Sequence, residues 1–138
     1  MTRKLPRRRS QCPIACALDL IGDRWTLIVL RDLIFVRKRH FQELLEGHEG
    51  IATNILASRL KMLEAAGLIT RRSDRAEARR VIYAPTEKAL DLLPVLIELT
   101  SWSMKYNART DAPAHIVRRL AADREGLIAD VRAAHSRS

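Results

Sequence analysis

Residues 51–69 constrain the fold of this 138-residue chain more than any other segment. They predict one helix that ends at Gly67, because glycine adopts the left-handed conformation just past a helix end at little cost. On a helical wheel one narrow stripe is apolar: Leu56, Leu60 and Leu63. The opposite side is small, polar and basic: Asn54, Ser58, Lys61 and Ala65, flanked by Ala57 and Met62. A solvated helix usually mixes Glu with Lys, so this face is better suited to contact with another molecule.

A short helix and a glycine-containing turn precede this segment. Residues 40–46 place their apolar side chains on one side, and residues 47–50 form a tight turn. Short helix, turn and longer helix is the order of a helix-turn-helix, whose second helix enters the major groove of DNA. Asn can hydrogen-bond to adenine, Lys can hydrogen-bond to guanine, and Ala can contact the thymine methyl group. We therefore expect base contacts from five residues: Thr53, Asn54, Ala57, Ser58 and Lys61.

A basic hairpin follows this recognition helix. Residues 68–72 and 79–84 are β-prone runs joined by a polar, charged loop, and arginines outnumber acids across the segment. A hairpin in this position is typical of the wing of a winged-helix domain, whose target is phosphate or the minor groove. We expect these contacts from Arg72, Arg75 and Arg79; the alternative is a solvated charged loop.

The formal net charge of +9 indicates an anionic partner. Double-stranded DNA or another nucleic acid is the commonest such partner, and an acidic membrane surface is the next. Residues 1–11 predict a flexible basic arm, which either contacts phosphates or is a solvated tail. Charged residues interrupt the apolar segment after the arm, and no apolar run approaches the ~18 residues that span a bilayer. We therefore expect neither a signal peptide nor a membrane partner, and a cytoplasmic location.

Four further helices are predicted. They cover residues 12–21, 24–35, 86–106 and 113–135. Asp23 is suited to capping the second of them, and Pro94 should bend or break the third. The third helix is apolar on more than one side, which indicates burial against a second subunit. We expect the last helix to support a dimer; the alternatives are a solvent-facing helix and a partner site.

Four segments together resemble the HxlR-type branch of winged helix-turn-helix regulators, relatives of the multiple-antibiotic-resistance regulators. They are residues 12–33, 41–45, 51–68 and 83–88, in the family's order. The resemblance implies a mainly α-helical winged helix-turn-helix domain over 12–106 and a homodimer on palindromic operator DNA, usually as a repressor. It also implies dimer contacts from the first helix and from a dimerisation helix, 86–106. Ala52 stands where the family often has Ser, so we expect Thr53 to cap the recognition helix instead. Ala89 stands where the family usually has Gly, which we interpret as a minor packing change.

Cys12 is a candidate for redox sensing. It precedes Pro13 at a helix start, where the positive helix end and nearby arginines favour the thiolate. Some members of the family that the chain resembles sense electrophiles or oxidants through a cysteine at this position, which implies an oxidant or small-molecule effector. The alternative is an inert packing residue, as we expect for Cys16. No histidine has metal-ligand spacing beside the cysteines, so we expect no metal and no cofactor.

Three classes of function remain, and a sequence-specific, dimeric transcriptional regulator is favoured. A basic architectural or RNA-associated protein would need only the positive charge, but the recognition face is not uniformly basic. A thiol enzyme using Cys12 would need a partner histidine and an oxyanion site, and the sequence suggests neither. We therefore expect no enzymatic activity.

Overall fold

The computed structural model describes residues 10–77 and 79–136, which form a mainly α-helical fold with one two-stranded antiparallel hairpin. The chain divides into two compact units between Ala89 and Leu90. A short helix, a longer helix and the hairpin follow one another in the first unit, so the predicted winged helix-turn-helix fold class is confirmed. Residues 1–9 of the predicted basic arm lie outside the described residues.

Within its described residues, the first unit contains four complete helices, a π-helical turn and two strands. They are α1 (Pro13–Ile21), α2 (Thr26–Arg31), the π-helical turn (Asp32–Val36), α3 (Phe41–Leu45), α4 (Thr53–Ala65), β1 (Ile69–Ser73) and β2 (Val81–Pro85). The remaining helices are α5 (Glu87–Leu90), α6 (Leu93–Tyr106), α7 (Ala114–Ala122) and α8 (Arg124–Ser136). Among the described residues, none of these helices is long and apolar enough to cross a membrane.

The helix α4 ends as its sequence predicts. Gly67 has a φ of +74°, and the Leu68 amide donates to the Leu63 carbonyl at 2.9 Å, the bond that closes a glycine-terminated helix. The predicted leucine stripe is buried, but Met62, expected beside the outer face, is buried too. The reason is that α4 packs against β1 as well as α3, so more than one stripe is covered. Thr53 does not cap the helix: Ala52 is at the N-cap position, without a side-chain hydrogen bond.

The segment after Gly22 differs from the single α-helix that we expected over 24–35. Asp23 accepts hydrogen bonds from the Trp25 and Thr26 amides at 3.0 and 3.1 Å, so it caps the turn from which α2 starts. At Asp32 the α-helix changes to a π-helical turn, which brings Lys38 back to that residue. The buried Asp32 carboxylate accepts from Arg31 at 2.8 Å and from Lys38 at 3.2 Å, and these partners offset the cost of burying its charge.

Both helices that the sequence predicts after residue 85 are interrupted in the structure. The predicted helix 86–106 is interrupted before Leu93, close to Pro94, whose missing N–H is tolerated in the first turn of a helix and not in its interior. The single helix expected over 113–135 is instead α7 and α8, separated at Asp123, whose carboxylate accepts from the Gly126 amide at 3.0 Å. An ion pair of 2.5 Å between Arg119 and Asp130 joins the two helices.

Candidate nucleic-acid interface

The outer face of α4 presents the residues that we expect to contact bases. Thr53, Asn54 and Lys61 are exposed, while Ala57 and Ser58 are half-buried. Positions 54, 58 and 61 follow the spacing of one helix face. The side chains of Asn54 and Lys61 have no hydrogen-bond or ion-pair partner within the described part of the chain. Their donors and acceptors are therefore available to an external ligand.

An ion pair on the inner side of α4 fixes this helix to the start of α2. The Arg59 guanidinium donates from Nε to the Asp23 carboxylate at 2.8 Å. Burial would raise the pKa of Asp23, but hydrogen bonds from Thr26, Trp25 and Arg59 outweigh it and hold the pKa below its ordinary value. The carboxylate thus stays charged and keeps Arg59. Sequence reasoning missed this role, because the two residues are 36 positions apart.

Two side chains hold the C-terminal end of α4. The Thr86 hydroxyl donates to the Gly67 carbonyl at 2.6 Å, and the Lys88 ammonium donates to the Ala66 carbonyl at 2.7 Å. Carbonyls at a helix C-terminus lack intrahelical partners and carry partial negative charge, so a lysine is favourable there. The segment 86–88, which the sequence indicated only as the start of a helix and as part of the family resemblance, therefore also fixes the end of the recognition helix.

The turn between α3 and α4 is held by a bidentate ion pair. Arg31 donates to the two carboxylate oxygens of Glu49 at 2.8 and 3.1 Å, and also bonds to Asp32. The hydrogen bonds from Arg31 lower the pKa of Glu49 below its ordinary value. Gly50, with a φ of +71°, supplies the left-handed residue that leads into α4. The turn is thereby tied to the end of α2.

The wing carries its arginines at exposed positions. Arg71 pairs with Tyr83 and Arg72 with Ile82 in the hairpin register. Side chains alternate along a strand, so Arg71 and Arg72 lie on opposite faces of the hairpin. Arg75 and Arg79 are exposed in the loop between the strands. The structure thus brings Arg72, Arg75 and Arg79 together on one hairpin.

The two cysteines lie at and within α1. Cys12 is exposed at the N-cap, and its amide donates to the Ser10 hydroxyl at 3.1 Å. Cys16, which we expected to be buried, is half-buried, because α1 has no fully buried residue; its thiol donates to the Ser10 carbonyl at 3.1 Å. Both thiols are free. Among the described side chains, no group of three or more His, Cys, Asp or Glu is placed to hold a metal ion.

Known proteins are similar to this chain in sequence and in fold. The sequence model of the HxlR-like helix-turn-helix proteins matches residues 20–111. The HTH-type transcriptional regulator Rv3095 of Mycobacterium tuberculosis is 37% identical over 97 residues, which are 70% of this chain and 60% of that protein. The chain thus spans about 60% of the length of this mycobacterial relative.

Solved structures of one bacterial regulator are also similar. The reduced form of the transcriptional regulator YodB from Bacillus subtilis is 30% identical with a TM-score of 0.58, over 74% of this chain and 100% of that chain. The quinone-bound form of YodB is 31% identical with a TM-score of 0.57, over 70% of this chain and 100% of that chain.

Proposed function

Because this chain belongs to the HxlR-like helix-turn-helix family of transcriptional regulators, which are not enzymes, we propose that it is a repressor that binds a palindromic operator as a homodimer in the bacterial cytoplasm. The observation that carries the proposal is the outer face of α4. Its exposed Asn54 and Lys61 have no partner among the described residues, while the inner side of the same helix is fixed by Arg59. A rigid helix with an available polar face is what base recognition in the major groove requires.

We assign two kinds of DNA contact to the first unit. Base contacts come from Thr53, Asn54, Ala57, Ser58 and Lys61 on α4. Phosphate or minor-groove contacts come from Arg72, Arg75 and Arg79 on the wing. In a homodimer the two copies of α4 would enter successive major grooves roughly 34 Å apart, which is the reason for a palindromic operator.

The homodimer is supported by two exposed apolar stripes. On α6 the exposed apolar residues follow helical spacing: Val95, Leu99, Trp102 and Tyr106. On α1 they are Ile14 and Leu18, one turn apart. Contiguous exposed apolar side chains of this size are uncommon on a monomer and typical of interfaces. We assign both stripes to contacts between two copies of this chain.

The Asn54→Ala variant should lose affinity for its operator by about 1–3 kcal/mol, provided that the amide makes a bidentate contact with adenine. Its affinity for random DNA should change little, because the lost contact is to a base. Fluorescence anisotropy with both DNAs measures the difference. Asn107→Ala is the matched control, since Asn107 is the other asparagine and is exposed in the second unit. Equal losses on operator and random DNA would contradict base recognition by Asn54.

The Arg75→Ala variant should bind operator and random DNA more weakly by the same factor. A phosphate contact releases about one counterion, so the slope of log affinity against log salt should fall by about one unit. Titrations at several salt concentrations give the slope. Arg109→Ala, an exposed arginine of the second unit, serves as the control. A slope identical to that of the wild-type protein would rule out Arg75 as a phosphate contact.

We further propose Cys12 as the residue through which an oxidant reaches the regulator. The thiol is exposed at the start of α1, and the similar regulator YodB has been solved in a reduced and a quinone-bound form. Hydrogen peroxide should then weaken operator binding in the wild-type protein and in Cys16→Ser, but not in Cys12→Ser. Equal sensitivity of the two variants would exclude Cys12 as the sensor.

The experiment that tests the function is a gel shift with the DNA upstream of the chain's own gene, at two salt concentrations, with random DNA as competitor. A complex that resists the competitor is the result expected of a sequence-specific regulator. Binding that random DNA removes equally well would favour an architectural protein instead, for which the positive charge alone suffices.

A further inference from the structure

His40 connects the helix-turn-helix to the wing through two carboxylates. It is the N-cap residue of α3, and its ring Nδ1 lies 2.7 Å from Oε1 of Glu43. The other ring nitrogen, Nε2, lies 3.1 Å from Oδ2 of Asp74, which follows β1 directly. The side chains of His40 and Asp74 are 17% and 15% exposed, so water competes only partly for this bridge.

Asp74 also shapes the loop that carries the wing arginines. Its other carboxylate oxygen, Oδ1, accepts from the Ala76 amide at 2.9 Å, and its own amide donates to the Arg80 carbonyl at 2.9 Å. The Tyr83 amide on β2 donates to the Arg39 carbonyl at 2.8 Å, directly before His40 in the chain. The segment in front of α3 thus contacts the hairpin at two places, on β2 and directly after the end of β1.

The protonation state of His40 decides whether both ring contacts are hydrogen bonds. Carboxylates only accept, so both bonds need two N–H donors, and only the imidazolium has two. A neutral imidazole has one N–H donor. Its other nitrogen then carries a lone pair that points at a carboxylate oxygen, so no hydrogen bond forms there. The charged groups around the ring are Glu43 on α3, Asp74 on the wing and Arg80, which acts on Asp74.

Both carboxylates of the bridge are held in the charged form. The hydrogen bond from His40 lowers the pKa of Glu43, and bonds from the Ala76 amide and then from His40 lower the pKa of Asp74. A lowered carboxyl pKa adds stability above the ordinary value of about 4, and that stability is lost only as the pH falls through the folded-state pKa. At neutral pH the ring nitrogens of His40 therefore face two charged acceptors.

We infer that His40 is a positioning residue for the wing, whose ring bridges Glu43 and Asp74 and so holds the loop with Arg75 and Arg79 in place for DNA. The inference rests on the proposed function, in which the wing contacts phosphates. Without the ring the bridge is lost, the loop loosens and the wing contributes less to DNA affinity. His40 itself touches no DNA in this arrangement.

The first test uses the full chain without DNA. Proton–nitrogen NMR spectra of the wild-type protein and of His40→Gln are compared at one pH, and the amide resonances of Ala76 and Arg80 report on the wing loop. His40→Gln should shift both resonances, because the loop loses its contact with the segment in front of α3. His115→Gln, which changes an exposed histidine of α7, should leave them unchanged. Resonances of Ala76 and Arg80 that are identical in His40→Gln and in the wild-type protein would overturn the inference.

The second test asks whether His40 and Asp74 act through one contact. His40→Gln should weaken binding to a fixed random-sequence duplex by about three- to tenfold, and Asp74→Ala should weaken it at least as much, because it also frees the Ala76 amide. The double variant should bind no more weakly than Asp74→Ala, because both changes remove the same bridge. Losses that add up in the double variant would show that the two residues act independently.

The two tests separate the inference from the function on which it rests. Duplex binding that is equally strong in the wild-type protein and in His40→Gln overturns the role of His40 and leaves the regulator proposal standing. If neither the wild-type protein nor any variant binds the duplex, the proposed function fails, and with it the wing-positioning role. Thermal unfolding of each variant verifies that it is folded.

Discussion

The Leu56→Ala variant should lose about 2–5 kcal/mol of its free energy of unfolding. Leu56 is fully inaccessible to solvent in the middle of α4. Removing its branched end leaves a cavity that the surrounding packing closes only in part, and the lost transfer free energy and the cavity both act against the folded state. The free energy of unfolding of a small domain is about 5–15 kcal/mol, so a large fraction of the stability depends on this one side chain.

Urea unfolding measures the effect, as a lower midpoint with an unchanged denaturant slope. Val36→Ala is the control, because Val36 is an aliphatic residue that is 58% exposed, and its truncation should change the stability by less than about 0.5 kcal/mol. Equal midpoints for the two variants would contradict the placement of Leu56 in the core. The loss of folded protein should weaken operator and random DNA binding alike, in contrast to Asn54→Ala.

The elements that the sequence predicted correctly depend on local chemistry. The end of α4 follows from Gly67, whose left-handed φ needs no distant partner, and the buried leucines follow from the helical period. The hairpin follows from two β-prone runs with a short connection. Each of these signals lies within a few residues of the structure that it specifies, and so it can be recognised in a single sequence.

The contacts that were missed join residues distant in the chain. His40 and Asp74 are 34 positions apart, and Asp23 and Arg59 are 36 apart. The periodicity of the sequence does not show which carboxylate pairs with a given cation, because the pairing depends on how the helices and strands pack. The exposed face of α4 was predicted from its own period, whereas the groups that fix this helix in place came only with the coordinates.

The break in the helix over 86–106 was predicted from Pro94, but two other irregularities in helices were not. The apolar pattern of residues 113–135 continues through Asp123, so period alone favours one helix, yet the Asp123 carboxylate bonds to the Gly126 amide and starts a new helix there. At Asp123 a side-chain hydrogen bond competes with the regular backbone pattern, and a hydrophobic period does not report on it. Similarly, the apolar period of residues 24–35 does not show the π-helical turn at Asp32, where the buried carboxylate pairs with Arg31 and Lys38.

If the α6 stripe is the interface of the proposed homodimer, the Trp102→Ala variant should be a monomer at concentrations where the wild-type protein is a dimer. Trp102 and Tyr106 are 67% and 68% exposed, and their ring centroids lie 5.7 Å apart on the α6 stripe. Truncation of a central interface tryptophan typically costs about 2–4 kcal/mol, which corresponds to a dissociation constant raised by about 30- to 1,000-fold. The loss should be large because Tyr106 also loses its ring contact. Sedimentation velocity over a concentration series measures the shift.

A consequence for DNA binding separates this variant from one that merely unfolds. If the two stripes join two copies, Trp102→Ala should bind a single half-site as well as the wild-type protein does but lose most of its advantage on the full palindrome, because that advantage comes from linking two α4 helices. Val36→Ala, which removes exposed apolar surface elsewhere, should keep both properties. A wild-type protein that sediments as a monomer, or a Trp102→Ala dimer of unchanged affinity, would show that the α6 stripe is not the dimer interface. In the first of these cases base recognition by α4 would have to act on one half-site, and a palindromic operator would no longer be required.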